Sequence, residues 1–380
     1  MARIVVGSYM VRYPLGGMLS WSLQWLVGLQ RLGHEVYMAE KGHYANSCFD
    51  PTMDAMIDDC FYGAKTVNHL LERFNLHTKW CFVDFEGQYY GLSKKEIEGV
   101  LRSADLFLDI GSHGAWLEEA AGSGMRVLVD GEPAHNQMKM EKSLAMGREL
   151  PCYDFYYTNG AHIGTERSTA PTAGRAWRPV YNPVVTDLFS VQTLPPDASF
   201  TTVMNWQAHA PIEFQGKSYG MKDMEFEKFI SLPRLVDVPL EISASGSVPH
   251  ARLKQAGWRL RYGPETTTSQ ESYLAYIAYS AGEFSVCKNV YVETNSGWFS
   301  DRSAAYLASG RPVVLQETGF SECLPCGEGL FAVRTVEEAA SALEKIQSNY
   351  ELHSHRAREI AVEHLDAQKI IGRLISELGL

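Results

Sequence analysis

The sequence lacks any long apolar run. None of its segments approaches the roughly 20 consecutive apolar residues that a helix needs to span a bilayer. The opening residues, Met1 to Gly7, become polar too soon for a secretory signal peptide, and they predict a first β-strand instead. From these two absences we expect a cytoplasmic protein with no membrane span.

Cysteines are few and scattered. The chain has 7, and only Cys323 and Cys326 form a Cys-x-x-Cys pair. A structural zinc site needs a second pair of ligands, and neither an Asp-x-Asp motif nor a histidine cluster supplies an alternative. We therefore predict free thiols and no metal site.

The sequence also lacks a basic cluster. It carries 34 Lys and Arg against 45 Asp and Glu, a formal net charge of −11. Proteins that grip the nucleic-acid backbone usually carry a basic stripe, because counterion release dominates that affinity. The composition argues against nucleic acid as a partner, although a basic cleft formed only on folding stays open as an alternative.

The sequence does contain short apolar strands alternating with amphipathic helices. A β-branched run from Arg3 to Ser8 predicts a buried parallel strand, and Ser20 to Leu32 predicts a helix that ends at Gly33. His34 to Ala39 predicts the next strand, which completes a βαβ unit. The alternation continues, with a helix predicted over residues 115–121, and it indicates a parallel sheet covered on both faces.

Prolines interrupt the middle of the chain, and a new series of strands follows them. Between Pro171 and Pro196 there is little periodicity, and Thr201 to Asn205 predicts a fresh strand. We predict a Rossmann-like domain over 1–185, a linker over 186–198, a second Rossmann-like domain over 199–362, and a C-terminal helix over 363–380 that could pack back on the first domain. Two doubly wound domains of this kind place ligands in a cleft at the carboxyl ends of their strands.

The segment from Lys288 to Phe320 contains the most informative pattern. A glycine loop leads into a helix that starts near Asp301-Arg302-Ser303 and stops at Gly310. A buried strand then exits into Glu317-Thr318-Gly319. Unpaired N–H groups and the positive end of the helix dipole meet at a helix start and favour an anion there. The same residues would also serve as an ordinary N-cap with a solvated arginine.

This order of pieces resembles the donor-binding segment of the GT-B glycosyltransferases. The resemblance implies two Rossmann-like domains facing a cleft, with a diphosphate on the helix start and sugar hydroxyls against the loop after the next strand. It implies a nucleotide sugar as co-substrate, for which we expect a UDP- or TDP-sugar, and no tightly bound cofactor. The donor-binding residues that it implies are Lys288, Gly297, Ser300, Asp301, Arg302, Ser303, Glu317, Thr318 and Gly319.

The sequence departs from the best-known variants of that family. Many retaining members carry Glu-x7-Glu in this segment, where the present chain has Gly297 and Ala305. Inverting plant-type members carry a histidine near the position of Gly297, and that histidine is missing as well. Retaining and inverting chemistry therefore both stay open.

The resemblance places the acceptor side in loops of the N-terminal half. An inverting enzyme needs a base there, and His113 is the best placed, with Asp109 able to orient its ring. The remaining candidates for the cleft are Gly16, Gly17, Asp130, Glu132, His135 and His209, and His209 and Lys222 are secondary candidates for contact with the donor. A solvated or hydrogen-bonded loop histidine is the competing interpretation of His113.

The residues and the resemblance together predict a metal-independent hexosyl- or pentosyltransferase that moves a sugar to an acceptor hydroxyl or a similar nucleophile. The acceptor would be a small molecule, and a modified nucleobase is the less expected alternative. Two other functions on the same fold stay open. A nucleotide-sugar 2-epimerase would turn over the donor alone, and a non-catalytic relative would bind the donor or a partner without transfer.

Overall fold

The computed structural model describes residues 1–207 and 209–380. Its first half alternates strands and helices over residues 3–179. The elements are β1 Arg3–Gly7, α1 Gly16–Arg31, β2 Glu35–Lys41, β3 Cys48–Asp50, β4 Ala55–Ile57, α2 Phe61–Glu72, β5 Trp80–Val83, β6 Tyr89–Gly91, α3 Lys94–Arg102, β7 Leu106–Asp109, β8 Met125–Asp130, α4 His135–Ala145, β9 Phe155–Thr158 and β10 Trp177–Pro179.

The second half repeats the alternation and then closes with helices. Its elements are β11 Phe200–Asn205, β12 Ile212–Phe214, β13 Lys217–Tyr219, α5 Lys222–Phe226, β14 Leu240–Ser245, α6 His250–Ala256, β15 Arg259–Tyr262, α7 Gly263–Thr267, α8 Gln270–Ala278, β16 Gly282–Ser285, α9 Asn289–Glu293, α10 Asp301–Ala308, β17 Val313–Gln316, β18 Leu330–Val333, α11 Val336–Ser348, α12 Tyr350–Ile360 and α13 Ala367–Glu377.

Two separate sheets organise these elements. The first has eight strands in the order β10-β9-β8-β7-β1-β2-β5-β6, and only β6 pairs antiparallel with its neighbour. The second has six parallel strands in the order β15-β14-β11-β16-β17-β18. In each sheet the strand that comes first in sequence, β1 or β11, lies near the centre, and the strand order reverses beside it. Ligands bind at such switch points, outside the carboxyl ends of the strands.

The predicted alternation of parallel strands and helices is confirmed, but the predicted helix over residues 115–121 is wrong. The structure has only a short 3₁₀ turn there, Glu119–Gly122. Lys41 Nζ donates a hydrogen bond to the Ala115 carbonyl at 2.8 Å, so that carbonyl is already engaged by a side chain. Gly114 upstream has a φ of +86°, which a continuing helix cannot accommodate.

The last helix returns to the first half of the chain. Helix α13 packs on α1, where Ile371 and Leu374 join the apolar core of the first sheet. Gly28 makes this close approach possible, because a Cβ at that position would lie 2.5 Å from Ile371 Cδ1. The chain therefore crosses between its two halves twice, once before β11 and once before α13.

Candidate functional site

Arg302 lies inside the protein, in the first turn of α10. Its side chain is only 10% exposed, and Nε donates a hydrogen bond to Glu283 Oε1 at 2.6 Å. The two remaining nitrogens donate to the Val203 carbonyl and to Ser285 Oγ at 2.8 and 2.7 Å. The expectation that Arg302 faces solvent at the cleft is wrong, because each guanidinium nitrogen is engaged between α10 and the strands beneath it.

The helix start itself has the predicted cap. Ser300 is the N-cap residue, and its Oγ accepts a hydrogen bond from the Arg302 N–H at 3.2 Å. Asp301 follows at the first helical position, and burial raises the pKa of its carboxyl. Ser303 is fully buried, and no described residue hydrogen bonds with its Oγ. One hydroxyl in this turn is therefore left without a protein partner.

Lys222 approaches this helix start from α5. It is only 9% exposed, and no described residue forms an ion pair or a hydrogen bond with its ammonium group. Burial, helped by the positive charges of Arg302 and Lys288, lowers the pKa of Lys222 to about 7. A buried amine without a counter-charge is costly in the free protein and favours an anionic ligand.

A buried network fixes the elements around Lys222. The carboxylate of Glu225 on α5 accepts hydrogen bonds from Asn289 Nδ2 at 2.7 Å and from Lys228 Nζ at 2.8 Å. Gln316 at the end of β17 donates to the same carboxylate, and its Oε1 accepts from the Cys287 N–H at 3.0 Å. This network joins α5, α9 and β17, and no motif in the sequence predicted it.

Glu317 holds the loop after β17. Its Oε1 accepts hydrogen bonds from the N–H groups of Thr318 and Gly319 at 3.0 and 2.6 Å. Its Oε2 contacts the Ser321 hydroxyl and lies 3.5 Å from an Arg334 nitrogen. The Glu317 carboxylate is thus engaged by its own loop and by Arg334, and it fixes the shape of that loop.

Two glycines in the second half pack closely against a loop of the first half that contains His162. Gly297 and Gly319 have φ angles of +74° and +103°. A Cβ on Gly319 would lie 2.5 Å from ring atoms of His162, and one on Gly297 would lie 2.8 Å from the His162 backbone nitrogen. His162 Nδ1 also lies 3.1 Å from the Asn295 carbonyl oxygen. These glycines are required by close packing between the halves.

Thr318 adds a second link within the donor segment. Its Oγ1 donates a hydrogen bond to the Trp298 carbonyl at 2.6 Å, and its own carbonyl accepts one from the Gly297 N–H at 2.6 Å. The loop before α10 and the loop after β17 are therefore bound to each other. The structure brings together Gly297, Thr318 and Gly319 as the sequence predicted.

Lys288 forms one of the charged contacts across the two halves. Its ammonium group donates to Glu132 Oε1 at 2.5 Å, and the Tyr291 hydroxyl donates to Glu132 Oε2 at 2.7 Å. Burial raises the pKa of Glu132, but the charge and hydrogen bonds of Lys288 outweigh it, and the pKa lies below its usual range. Lys288 therefore already has one anionic partner, unlike Lys222.

A pair of histidines lies beside this contact. The rings of His135, on α4, and His209 stack with centroids 5.4 Å apart and planes 11° from parallel. Burial and the nearby Lys139 lower the pKa of His135 to about 4, so this ring is neutral at physiological pH. His209 is thus in contact with the first half, as expected for a residue at the cleft.

Asp109 stabilises a backbone loop instead of orienting His113. Its Oδ1 accepts hydrogen bonds from the N–H groups of Gly111 and Ser112, and its Oδ2 accepts from the Gly114 N–H at 2.8 Å. The Tyr153 hydroxyl donates to Oδ2 at 2.6 Å. The predicted Asp109–His113 pair is wrong, because both carboxylate oxygens are used by other groups.

His113 is exposed at the turn that Asp109 holds. It has a φ of +52°, an uncommon conformation for a residue with a side chain. Asp130, at the end of the neighbouring strand, accepts hydrogen bonds from Asn136, Gln137 and Thr158 side chains at 2.6, 2.8 and 3.0 Å. The imidazole of His113 is left available to a ligand, whereas the Asp130 carboxylate is not.

Gly16 and Gly17 begin α1 against the second half. A Cβ on Gly16 would lie 2.3 Å from the Ser269 carbonyl oxygen, while one on Gly17 would lie 3.8 Å from the Tyr273 ring. Close packing against the residue that precedes α8 accounts for Gly16. The structure gives it a role at the contact between α1 and α8.

The described residues do not bring three or more His, Cys, Asp or Glu side chains into a group that could hold a metal ion. Among the described helices, none is both long and apolar enough to cross a membrane. Cys323 and Cys326 are both free thiols.

Comparisons with known proteins identify the fold. No protein-family model and no curated protein matches this sequence. The solved structures that it resembles include HepE of Anabaena in complex with UDP and glucose, with a TM-score of 0.58, 12% identity and full coverage of both chains. An alpha-glucosyltransferase in complex with UDP and a 13-mer DNA gives a TM-score of 0.62 at 10% identity, covering 100% of this chain and 99% of the other.

A third similar structure is AviGT4, a glycosyltransferase involved in avilamycin A biosynthesis. Its TM-score is 0.55 at 13% identity, and the match covers 99% of this chain and 97% of that one. Identities this low define architecture, and function has to be argued from the site. The two sheets, the paired glycine loops at the α10 start and these likenesses show that the chain has the GT-B fold of nucleotide-sugar glycosyltransferases.

Proposed function

We propose that this protein transfers a sugar from a nucleoside-diphosphate sugar, a UDP- or TDP-sugar, to an acceptor hydroxyl. The observation that carries the proposal is Lys222, a buried amine beside the start of α10 with which no described residue forms an ion pair. Its position at the carboxyl ends of the second sheet is where doubly wound folds bind ligands. Two of the similar structures hold UDP bound to a protein of this architecture.

A diphosphate complements this site in charge and in hydrogen bonding. The α10 start offers backbone N–H groups and the positive end of its dipole, and the buried Ser303 hydroxyl has no hydrogen-bond partner among the described residues. Lys222 would place a positive charge beside the phosphate oxygens. The same groups stabilise the negative charge that develops on the leaving nucleoside diphosphate, which is how fixed donors accelerate transfer.

Arg302 supports this site without touching the ligand. Its bonds to Glu283 and to the Val203 carbonyl hold α10 over the strand ends. We therefore assign the diphosphate to Lys222 and the helix start, with Lys288 near them. Lys288 would share its charge between Glu132 and the donor.

The acceptor side belongs to the first half, with His113 as the proposed base of an inverting reaction. His113 is exposed, while Asp109 and Asp130 use their carboxylate oxygens in internal hydrogen bonds. In a retaining reaction the leaving phosphate would take the acceptor proton, and His113 would position the acceptor. The anomeric configuration of the product distinguishes these two mechanisms.

The first experiment is a thermal-shift series with UDP, TDP, GDP, ADP and CDP. Binding to the native state raises the melting temperature, and a ligand at 100 times its Kd contributes about 2.7 kcal/mol. We expect UDP or TDP to give the largest shift, and Lys222→Met to remove it. Lys254→Met is the matched control, because Lys254 is an exposed lysine on α6.

Failure of every nucleotide to shift the melting temperature would contradict the proposal. Incubation with UDP- and TDP-sugars then separates the related functions. Sugar transfer requires an acceptor, whereas isomerisation of the donor in its absence would identify an epimerase. Tight nucleotide binding with no turnover of any donor–acceptor pair would indicate a binding protein.

A further inference from the structure

A cavity of about 200 Å³ opens in the first half, at the carboxyl ends of β7 and β8. One wall is a single face of α4, where Asn136, Lys139, Met140 and Ser143 follow the i, i+3, i+4, i+7 spacing of a helix face. The opposite wall is the turn that carries His113. The cavity thus lies at a ligand-binding position of the first sheet, separate from the α10 helix start in the second half.

The remaining surface of the cavity is apolar and aromatic. Leu128, Pro151, Tyr153 and Trp177 contribute to it. The Tyr153 hydroxyl is used by Asp109, so Tyr153 offers a ligand mainly its ring. An engineered apolar cavity of about 150 Å³ admits benzene, so the present volume has room for one ring with small substituents.

One charge at the cavity is free. Lys139 is exposed, and no described carboxylate lies within ion-pair distance of its ammonium group. Asp109 and Asp130 also line the cavity, but backbone N–H groups and side-chain amides occupy their oxygens. Lys139 is therefore the group at the cavity with which an anionic group of a ligand can pair.

The residues that line the cavity are followed directly in sequence by a residue that contacts the second half. Asp130 and Gly131 line it, and the next residue, Glu132, contacts Lys288 and Tyr291 of the second half. A ligand in the cavity is therefore held next to the segment that meets the donor half.

We propose that this cavity is the acceptor site and that the acceptor is a small hydroxylated aromatic acid. This inference rests on the proposed sugar transfer. The ring lies against Tyr153 and Trp177, the acid group pairs with Lys139, and the hydroxyl faces His113. In the transfer, the hydroxyl oxygen forms a bond to the anomeric carbon while the bond from that carbon to the phosphate oxygen breaks. The nucleoside diphosphate leaves with the electron pair, and the hydroxyl proton passes to His113 in an inverting reaction.

The test uses two probes that differ in charge, 4-hydroxybenzoate and 4-hydroxybenzamide. Their affinities are measured by calorimetry on the full chain with UDP present. We expect the acid to bind about fivefold more tightly than the amide, the size of an exposed charge pair. Lys139→Met should abolish the difference, and Ser143→Phe should weaken both probes by filling the cavity.

Lys142→Met is the matched control, because Lys142 lies on the same helix and its Nζ faces the Glu213 carbonyl at 3.4 Å. This variant should keep the preference of the wild type. Equal affinity for the two probes, a preference that survives in Lys139→Met, or no binding of either probe to protein that binds UDP would each overturn the inference. Absence of binding by every nucleotide of the thermal-shift series would overturn the proposed function, and that outcome is read separately from these titrations.

Discussion

The start of α10 in the second half and the turn after β7 in the first half are both polar strand exits, but they are built differently. At α10 the charged groups are buried, and one of them, Lys222, has no partner. At the β7 turn the charged group is Asp109, which is buried and fully bonded, while the unbonded His113 is exposed. A buried charge without a partner fits a fixed anion, whereas an exposed imidazole fits a group that exchanges a proton with an acceptor.

The comparison also shows that residue type alone misassigns function at both places. Arg302 and Asp109 are the residues that chemistry would select first for a ligand, and each is engaged inside the protein. Lys222 and His113 are the groups left over once internal bonds are assigned. The partner of each group, more than its charge, decides whether it can meet a substrate.

The largest effect is expected for turnover when His113, the exposed group at the turn after β7, is substituted. If the product is inverted, His113→Ala should lower turnover by about 10²–10⁴-fold, because a positioned general base contributes that much. Nucleotide affinity should be unchanged, since the Lys222 site lies in the other half. Initial rates with a competent acceptor measure the effect, and His250→Ala, an exposed histidine on α6, serves as control.

An inverted product formed at the wild-type rate by His113→Ala would exclude His113 as the base. Asp109 and Asp130 are then poor replacements, because their oxygens are already bonded. Glu132 would be the remaining candidate, and it would have to release its bonds to Lys288 and Tyr291 before it could take a proton.

Removing the buried guanidinium of Arg302 should lower the free energy of unfolding. Arg302→Ala leaves the Glu283 carboxylate buried and unpaired, a change that costs about 3–5 kcal/mol in comparable ion pairs. The midpoint of urea denaturation should fall accordingly, and Arg302→Met combined with Glu283→Gln should recover much of it. A folded Arg302→Ala protein with the wild-type midpoint and weak nucleotide binding would restore the predicted phosphate role.

Substitution of Lys222 should have the opposite effect on stability and should also weaken nucleotide binding. Lys222→Met removes a charge that has no protein partner, so we expect weaker nucleotide binding, by roughly 1.5–3 kcal/mol, together with a higher melting temperature of the free protein. Calorimetry and thermal denaturation of the same preparation measure the two effects. Lower stability with unchanged affinity would show that Lys222 serves the fold instead of the ligand.

The smallest expected effect is a dependence of nucleotide affinity on pH. The Lys222 pKa of about 7 in the free protein means that its amine loses its proton between pH 7 and 8. A diphosphate favours the protonated amine, so binding takes up a proton and affinity should fall roughly fivefold over this unit. Titrations in buffers of different ionisation enthalpy measure the uptake, which Lys222→Met should eliminate. A flat profile in the wild type would contradict the assignment.

Local patterns predicted the elements of the donor segment well. The helix start at Asp301, its end before Gly310 and the following buried strand depend on neighbouring residues, and they are where the sequence placed them. The burial of Arg302 was not predictable in this way, because its partner Glu283 lies 19 positions earlier, on β16. Only the pairing of strands brings the two together.

The same limit applies to the first half. The 115–121 segment has the composition of a helix, but Lys41, 74 positions away, binds the Ala115 carbonyl. The requirement for Gly319 could not be predicted from its own loop either, since the His162 ring that fills the space beside it comes from the first half. Contacts distant in sequence account for these differences.

The return of α13 to the first half has a mechanical consequence. The backbone passes between the two halves at two places, near Val184 and near Asp366. These two residues pair with each other in an isolated β-bridge. Two crossings that lie side by side restrict the relative movement of the halves more than a single linker would. A chain truncated before α13 would keep the strands of both sheets but lose the contact of α13 with α1, which ties the end of the chain to the first half.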